Sequence, residues 1–170
     1  MEINIRPAQT NDSALLTKLG ATTFYDTFSA YHSEEDMQLY LKKAYATEAI
    51  EANLNNPNIV YFIAFDNDQP IGYTKLLLHV QHPKLTSELI ELEKIYVQKN
   101  YLDKKVGKAL MEQTITYAKS NKYNTLFLGV WQENTRAVSF YNKFNFEVFD
   151  TRSFQLGQTI CDDFMMKLEL

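Results

Sequence analysis

Apolar and polar residues alternate along the chain in segments that favour strands and helices in turn. Residues 2–6 (EINIR) have the period of a first strand. A helix is predicted next, with Asp12 as its cap, because short carboxylate side chains accept from the free N–H groups of a first turn. Its apolar positions recur at helical spacing at Leu15, Leu16, Leu19 and Phe24.

Two further helices are predicted before the pattern changes to strands. Ser33, followed three residues later by Asp36, is a variant of the capping box. The apolar stripe after it favours a helix and consists of Met37, Tyr40 and Leu41. The segment 47–54 (TEAIEANL) adds a short third helix.

A hairpin and a second series of strands and helices follow. Residues 60–65 and 71–80 are the strands of the hairpin, joined by the turn chemistry of residues 66–70 (DNDQP). The later elements are a strand (88–97), a helix (about 104–119), a strand (125–131), a helix (about 135–144) and two strands (147–156 and 162–170). The order strand, helix, strand predicts one parallel pair joined by a right-handed crossover, in a sheet that is otherwise mostly antiparallel. We therefore expect one mixed α/β domain that spans residues 1–170.

Composition narrows the class of partner. The 170 residues carry a net charge of −4, which argues against nucleic acid as the main partner and suits a cationic small molecule. Cys161 is the only cysteine, so we expect a reducing, cytoplasmic compartment. The first residues lack the pattern of a leader, and no apolar run approaches the roughly 20 residues of a membrane span. His32, His79 and His82 lack metal-site spacing, so no metal is expected.

The loop between residues 97 and 108 has the composition of an anion site. Lys104, Lys105 and Lys108 lie around a predicted helix start that also contains Gly107. The free N–H groups and the dipole of a helix start favour negative charge, so a diphosphate would be well placed there. The alternative is that these lysines are an exposed helix face.

The stretch LGVWQENTRAVSFYNKFNF, residues 128–146, places Asn134 at a corner between a strand and a helix. The helix has a core stripe at Ala137, Phe140 and Phe144. Tyr141 lies on the same stripe and has two interpretations. Its hydroxyl either satisfies a backbone carbonyl in the core or presents a proton in a cleft.

Together these stretches resemble the GCN5-related N-acetyltransferases (GNAT), which move an acetyl group from acetyl-CoA to an amine. The phosphate-loop pattern of that family, Q/R-x-x-G-x-G/A, aligns on residues 102–107, with Leu102 in place of Gln or Arg and Lys105 in place of the first glycine. A left-handed Lys105 would be strained by about 1–2 kcal/mol. The segments 23–45, 71–79, 92–97 and the closing FQLG and DDFMMK resemble the bacterial spermidine/spermine N-acetyltransferases.

The resemblance implies a mostly antiparallel sheet with a splayed parallel pair and helices on both faces. It also implies acetyl-CoA as co-substrate and is compatible with a homodimer. The backbone at Ile95, Tyr96 and Val97 would bind the pantetheine arm and Asn134 would hydrogen-bond it, while Tyr141 would protonate the leaving thiolate. The diphosphate would lie on the loop residues Leu102, Asp103, Lys104, Lys105, Val106, Gly107 and Lys108. The Asp103 carboxylate would repel phosphate unless it is occupied in capping the helix.

A base is needed because the acceptor amine is protonated at neutral pH. Glu91 and Glu93 lie two apart in one strand, so strand parity places both on the face of Ile95 and Val97. We expect Glu93 to be the base or to hold a water, with Glu91 nearer the substrate. The alternative is an exposed strand edge.

The acceptor end is predicted at the start of the second helix. Tyr31 with Glu34, Glu35 and Asp36 would make an anionic and aromatic mouth for a polyamine such as spermidine or spermine. Acidic residues also favour helix starts for dipole reasons alone. No serine or cysteine lies in a nucleophile turn, which favours direct attack on acetyl-CoA. Two other functions stay open, a CoA-sensing regulatory module and a protein or peptide N-acetyltransferase.

Overall fold

In the computed structural model, which describes residues 1–170 apart from the side chain of Ser87, the chain forms seven strands and five α-helices. The strands are β1 (Ile3–Pro7), β2 (Ile59–Asp66), β3 (Gln69–His82), β4 (Leu85–Val97), β5 (Thr125–Trp131), β6 (Glu147–Leu156) and β7 (Thr159–Glu169). The helices are α1 (Ser13–Phe28), α2 (Glu34–Ala44), α3 (Thr47–Leu54), α4 (Val106–Ser120) and α5 (Thr135–Asn142).

All seven strands lie in one sheet, in the order β1-β2-β3-β4-β5-β7-β6. The neighbours β4 and β5 are parallel, and α4 makes the crossover between them. The other neighbouring strands are antiparallel. This confirms the predicted mixed sheet with one parallel pair.

The apolar side chains form separate cores on the two faces of the sheet. The α4-side cluster packs α4 and α5 against the sheet and includes Ile90, Leu92, Leu110, Leu128 and Met166. The α1-side cluster packs α1, α2 and α3 against the opposite face and includes Leu16, Met37, Ile50, Ile63 and Tyr73. Helices therefore cover both faces, as the resemblance implied.

An extra residue in β4 interrupts its pairing with β3. Lys75 lies opposite Lys94 and Leu76 lies opposite Leu92, so Glu93 is a bulge without a partner of its own on β3. Leu92 belongs to the α4-side cluster, and so do Ile95 and Val97, which would lie on the other face without the extra residue. The bulge reverses the side-chain alternation in the second half of the strand.

Some elements end at positions that the sequence pattern did not indicate. β3 extends to His82 and β4 begins at Leu85, because the two strands pair with each other beyond their apolar runs. The last helix ends at Asn142, two residues earlier than predicted. The main-chain N–H groups of Phe144 and Phe146 both donate to the carbonyl of Tyr141 (2.9 and 3.2 Å), and Asn145 between them is left-handed (φ 63°).

The predicted helix caps have different outcomes. Ser33 accepts from the main-chain N–H of Asp36 (3.1 Å) and caps α2 as expected. The Asp12 side chain does not cap α1, because it pairs with the Arg6 guanidinium (2.7 and 2.8 Å) and accepts from the N–H of Gln9. This pair lowers the pKa of Asp12 below its usual range.

Among the described residues, no helix is both long enough and apolar enough to cross a bilayer.

Gly20 in α1 is predicted to be intolerant of a side chain. A methyl group there would lie 2.2 Å from a ring carbon of Tyr45, whose hydroxyl is hydrogen-bonded to Tyr73 (3.0 Å) in the α1-side cluster. Alanine gains about 1 kcal/mol of helix propensity, but overpacking costs about 1–3 kcal/mol. We expect Gly20→Ala to lower Tm by about 2–4 °C for each kcal/mol lost. A calorimetric scan checks this.

The matched control is Gly107→Ala in α4, where a methyl group would meet only ordinary contacts, at 3.7 Å from Phe140 and 3.8 Å from Val97. Without ligand its Tm should not fall. A Gly20→Ala protein as stable as the wild type would show that the Tyr45 ring moves freely.

Candidate functional site

A cleft opens between the two parallel strands. β4 and β5 pair over three residues, from Leu89 opposite Thr125 to Glu91 opposite Phe127, and then diverge. On its other side β4 remains paired with β3, where the N–H of Gln98 donates to the carbonyl of Ile71 (2.9 Å). That bond fixes the antiparallel alternation along the strand.

The alternation determines which backbone groups enter the cleft. Residues at even positions after the bulge bond to β3, so the N–H and C=O groups of Ile95 and Val97 point towards β5. Tyr96 was expected to act with them, but its main chain pairs with Tyr73 and its side chain packs in the α1-side cluster.

The opposite wall of the cleft contains Gly129, which the sequence reasoning missed. The N–H of Gln132 donates to the carbonyl of Asp162 (3.0 Å), so by the same alternation Gly129 turns its backbone groups away from β7 and towards β4. A glycine in the middle of an apolar strand was the available signal, since such a residue often marks a close approach.

The start of α4 is an uncapped helix terminus. The first helical bond runs from the N–H of Ala109 to the carbonyl of Lys105 (3.0 Å), and no side chain caps the helix. The N–H groups of Val106, Gly107 and Lys108 therefore have no acceptor within the helix. Lys105 is left-handed (φ 65°), as the alignment with a glycine position implied. The terminus can take an anion by backbone contact.

The charged side chains of the loop have separate environments. The Lys104 ammonium lies over the Tyr101 ring (4.9 Å to its centroid), and Lys108 pairs with Glu112 (3.5 Å). The Lys105 ammonium has no ion-pair partner within the described part of the chain. The free N–H groups at the helix start therefore follow directly on a lysine, Lys105, that no carboxylate of the described residues neutralises.

The Asp103 carboxylate does not cap α4, contrary to expectation. Asp103 is itself left-handed (φ 63°) and accepts from the Arg136 guanidinium of α5 (2.8 Å). The pair neutralises a carboxylate that would otherwise repel an anion, and it links the loop to α5. Leu102 is exposed beside it.

Tyr141 lies on α5 in the α4-side cluster and is 7% exposed. Its hydroxyl has no hydrogen-bond partner among the residues that the structure describes. Burial raises the pKa of Tyr141 far above its usual value, so the phenol keeps its proton at neutral pH. The phenol is therefore a neutral donor.

Asn134 begins α5 and has a structural contact. Its Oδ1 accepts from the main-chain N–H of Ala137 (3.1 Å) and caps the helix. Its Nδ2 is left as a donor, so capping and binding a ligand are compatible.

The predicted parity, which places Glu91 and Glu93 on the face of Ile95 and Val97, is wrong because of the bulge. Glu91 lies on the opposite face, where it contacts Arg152 (3.6 Å). Glu93 turns to the same side and pairs with the buried Lys75 (2.6 Å). Burial raises the pKa of Glu91, and the charge of Arg152 opposes that effect.

Lys94 is another charged group of this face, and the sequence reasoning gave it no role. Its ammonium lies near the Tyr40 hydroxyl (3.4 Å) and over the Tyr45 ring (5.5 Å to its centroid). Burial lowers the pKa of Lys94, and the charge of Glu93 opposes that effect. Cations and carboxylates therefore alternate on the α1 side of the cleft.

The predicted acceptor mouth is only partly assembled. Tyr31 contacts Trp131 at the end of β5 (5.0 Å between ring centroids). Glu34 accepts from Tyr25 (2.8 Å) and from the side chain of Gln38. Asp36 is buried and accepts from the N–H of Gln158 (3.2 Å), so it ties α2 to the turn between β6 and β7.

Glu35 is exposed and lies on the same helix start. Phe28 contacts both Tyr96 of β4 (6.4 Å between ring centroids) and Trp131 of β5 (6.2 Å). An aromatic side chain of α1 thus bridges the two diverging strands on the α1 side. The mouth is mainly aromatic. Among the acidic residues predicted to line it, Glu35 is the one whose carboxylate has no partner in the described part of the chain.

Known proteins share this arrangement. A sequence model described as the Acetyltransferase (GNAT) family matches residues 21–146, more than half of the chain. An uncharacterised N-acetyltransferase from the pepI 3′ region of Lactobacillus delbrueckii subsp. lactis is 29% identical, with 87% of this chain and 86% of that protein covered. A spermidine N(1)-acetyltransferase of Thermoplasma acidophilum is 27% identical, with 89% and 92% covered.

A solved structure has the same fold over the whole chain. The PaiA N-acetyltransferase of Thermoplasma acidophilum, in complex with coenzyme A, superimposes with a TM-score of 0.83 at 25% identity, and all of both chains is covered.

Lys105 allows a test in which stability and ligand binding change in opposite directions. Lys105→Gly removes the strain of a left-handed residue that carries a side chain. The free energy of unfolding without ligand should therefore rise by up to about 1 kcal/mol, and Tm should rise with it. The same change removes the Lys105 cation, so the rise in Tm on adding CoA should shrink. For comparison, a ligand at 100 times its Kd stabilises by about 2.7 kcal/mol. Thermal melts with and without CoA measure both quantities.

An unchanged CoA shift in Lys105→Gly would mean that the backbone alone holds the anion.

Proposed function

The chain belongs to the GNAT family of acetyltransferases, and from that premise we propose that its acceptor is a primary amine of a polyamine such as spermidine or spermine. The protein is an N-acetyltransferase that uses acetyl-CoA as co-substrate. The observation that carries the proposed chemistry is the position of a buried neutral phenol, Tyr141, beside a cleft whose wall presents the free main-chain groups of Ile95 and Val97.

The residues of the cleft suit a thioester and its nucleotide. The N–H groups at Val106, Gly107 and Lys108 would hold the diphosphate, and the lysine at 105 would add charge. The main-chain groups of Ile95 and Val97 would bind the pantetheine arm. Acetyl-CoA supplies an activated acyl group, and an N–H donor aimed at its carbonyl oxygen stabilises the negative charge that develops there.

Two proton transfers are assigned to this chain. Glu93 takes a proton from the ammonium, directly or through a water, so that the amine can attack. Attack leaves an extra proton on the nitrogen, and this proton is lost to water as the tetrahedral intermediate collapses to the amide. Tyr141 donates its proton to the departing sulfur, and bulk water restores it. The ion pair between Glu93 and Lys75 (2.6 Å) holds the carboxylate in position.

Three features support a polyamine as the acceptor. The spermidine N(1)-acetyltransferase of Thermoplasma acidophilum is similar over almost the whole chain, and the net charge of −4 favours cations. The aromatic mouth at Tyr31 and Trp131 suits cation–π contact with an alkylammonium.

The inner acceptor face itself has balanced charge. Its three carboxylates and three cationic groups are Glu91, Glu93, Asp163, Lys75, Lys94 and Arg152. We therefore assign the preference for extra ammonium groups to the rim of the mouth, where Glu35 is exposed, rather than to the interior.

Tyr141→Phe tests the proposed chemistry. The change keeps the ring and its packing but removes the proton, so turnover should fall by about 100-fold or more with little change in Tm. Release of free thiol from acetyl-CoA gives the rate. The control is Tyr117→Phe on α4, whose ring packs against Phe62 away from the cleft, and which should leave turnover unchanged. A twofold effect or less at Tyr141 would make it a core residue.

The acceptor is tested by comparing spermine with a monoamine in the same assay. We expect spermine to be preferred by about 10- to 100-fold in kcat/KM, which is roughly 1.4 kcal/mol per tenfold, and salt to reduce the preference. Glu35→Lys should weaken the preference without changing the CoA-induced rise in Tm. Glu48→Lys on α3 changes the net charge equally and is the control. Equal rates for the two amines at low salt would exclude the polyamine and leave acetyl transfer intact.

A further inference from the structure

Arg152 of β6 lies flat across the sheet at the point where β4 and β5 separate. A methyl group at Gly129 of β5 would lie 2.5 Å from Nη2 and 2.9 Å from Cζ of this guanidinium, so the glycine is what lets the side chain pass. The side chain reaches over β7 and β5 to Glu91 of β4. Glu91 is the last residue of β4 that pairs with β5.

Two mostly buried carboxylates flank the guanidinium. Nε of Arg152 lies 3.4 Å from Asp163, and Nη1 lies 3.6 Å from Glu91. The Arg152 side chain is 46% exposed, whereas Asp163 and Glu91 are 10% and 13% exposed. Contacts of this length leave oxygen lone pairs of both carboxylates without a close donor.

The charge of this triad fits a single cation. Two carboxylates and one guanidinium leave a net charge of −1 at the floor of the acceptor face when all are ionised. Burial raises the pKa of both Glu91 and Asp163, and the charge of Arg152 lowers both. The other charged groups that face Glu91 are Lys75 from β3 and Glu93 from its own strand.

We propose that Arg152 and Asp163 are positioning residues that hold Glu91 as the docking point for the reactive ammonium of the acceptor. The ammonium contacts Glu91, and Arg152 acts through Glu91 by fixing its carboxylate at the opening of the cleft and keeping it ionised. Asp163 limits how strongly Arg152 pairs with Glu91. This inference rests on the proposed function, since it requires an ammonium as the substrate.

The alternative is that the triad only stabilises the sheet. Loose, half-exposed ion pairs contribute little to stability, and β5, β6 and β7 are already joined by ladder hydrogen bonds. A purely structural triad would change stability when altered, but it would leave the KM for the acceptor unchanged.

The first measurement is the titration of Glu91 itself, which needs no substrate. In protein labelled with ¹³C at the glutamate carboxyl, Glu91→Gln identifies the signal. Arg152→Met removes the nearby cation, so the pKa of Glu91 should rise. Asp163→Asn removes the anion that competes with Glu91 for Arg152. Arg152 can then pair more closely with Glu91, so the pKa of Glu91 should fall. Unchanged titration in both variants would overturn the proposal.

The second measurement is the KM for the acceptor, with wild type, Arg152→Met, Glu91→Gln and the double variant compared. Arg152→Met should raise the acceptor KM by about tenfold or more near pH 6 and by much less near pH 9, because loss of the cation raises the pKa of Glu91 and acid then favours its neutral form. In the Glu91→Gln background the same change should have little further effect. Arg152→Lys keeps the charge and should recover part of the loss.

The control is Lys84→Met, which removes a different ion pair to β6, with Asp150 (2.5 Å), away from the cleft. It should leave the acceptor KM and the Glu91 titration unchanged. A loss in Arg152→Met that is equal at both pH values, or equal with and without Glu91, would show that Arg152 does not act through Glu91. If the wild type acetylates no amine, the proposed function fails, and the titration still decides whether Arg152 controls Glu91.

Discussion

The functional cleft depends on the requirement that backbone hydrogen-bonding groups in a sheet find partners. β4 is paired with β3 along its length, but its pairing with β5 ends at Glu91. Beyond that point Ile95 and Val97 present N–H and C=O groups to a gap, and leaving such groups buried without partners is costly. In the proposed function, the amide groups of a pantetheine arm would satisfy them as an added strand would.

The bulge at Glu93 determines what lies on each side of that gap. Because it reverses the alternation of β4, Ile95 and Val97 pack towards α4, whereas Lys94 and Tyr96 face α1. The α4 side of the cleft is therefore apolar and contains the neutral Tyr141. The opposite side contains a set of paired charges, in which each buried ion offsets the desolvation cost of its neighbour. In the proposed mechanism, the phenol that protonates the thiolate and the carboxylate that activates the amine therefore lie on opposite faces of the sheet.

The anion site at α4 shows how backbone geometry can persist when side chains change. The positions that are glycine in the family pattern need not be glycine, since Lys105 adopts the left-handed conformation and Arg136 neutralises Asp103. The groups proposed to bind the anion are main-chain N–H groups at a helix terminus, which any residue except proline provides. A lysine instead of a glycine at position 105 strains the backbone there and adds a cation at the site.

The sequence by itself determined the elements and their order, the single parallel pair, the position of the helix start after the lysine-rich loop and the place of Tyr141 on α5, because periodicity and loop composition are local properties. Only the tertiary structure decided the face of Glu91 and Glu93, since a bulge arises from the register between β4 and β3 and has no local pattern. It also decided that Asp36 binds Gln158 and that Arg152 crosses Gly129 to reach Glu91. These contacts join residues that are distant in sequence, and they exist because the strand order β4-β5-β7-β6 brings them to one face of the sheet.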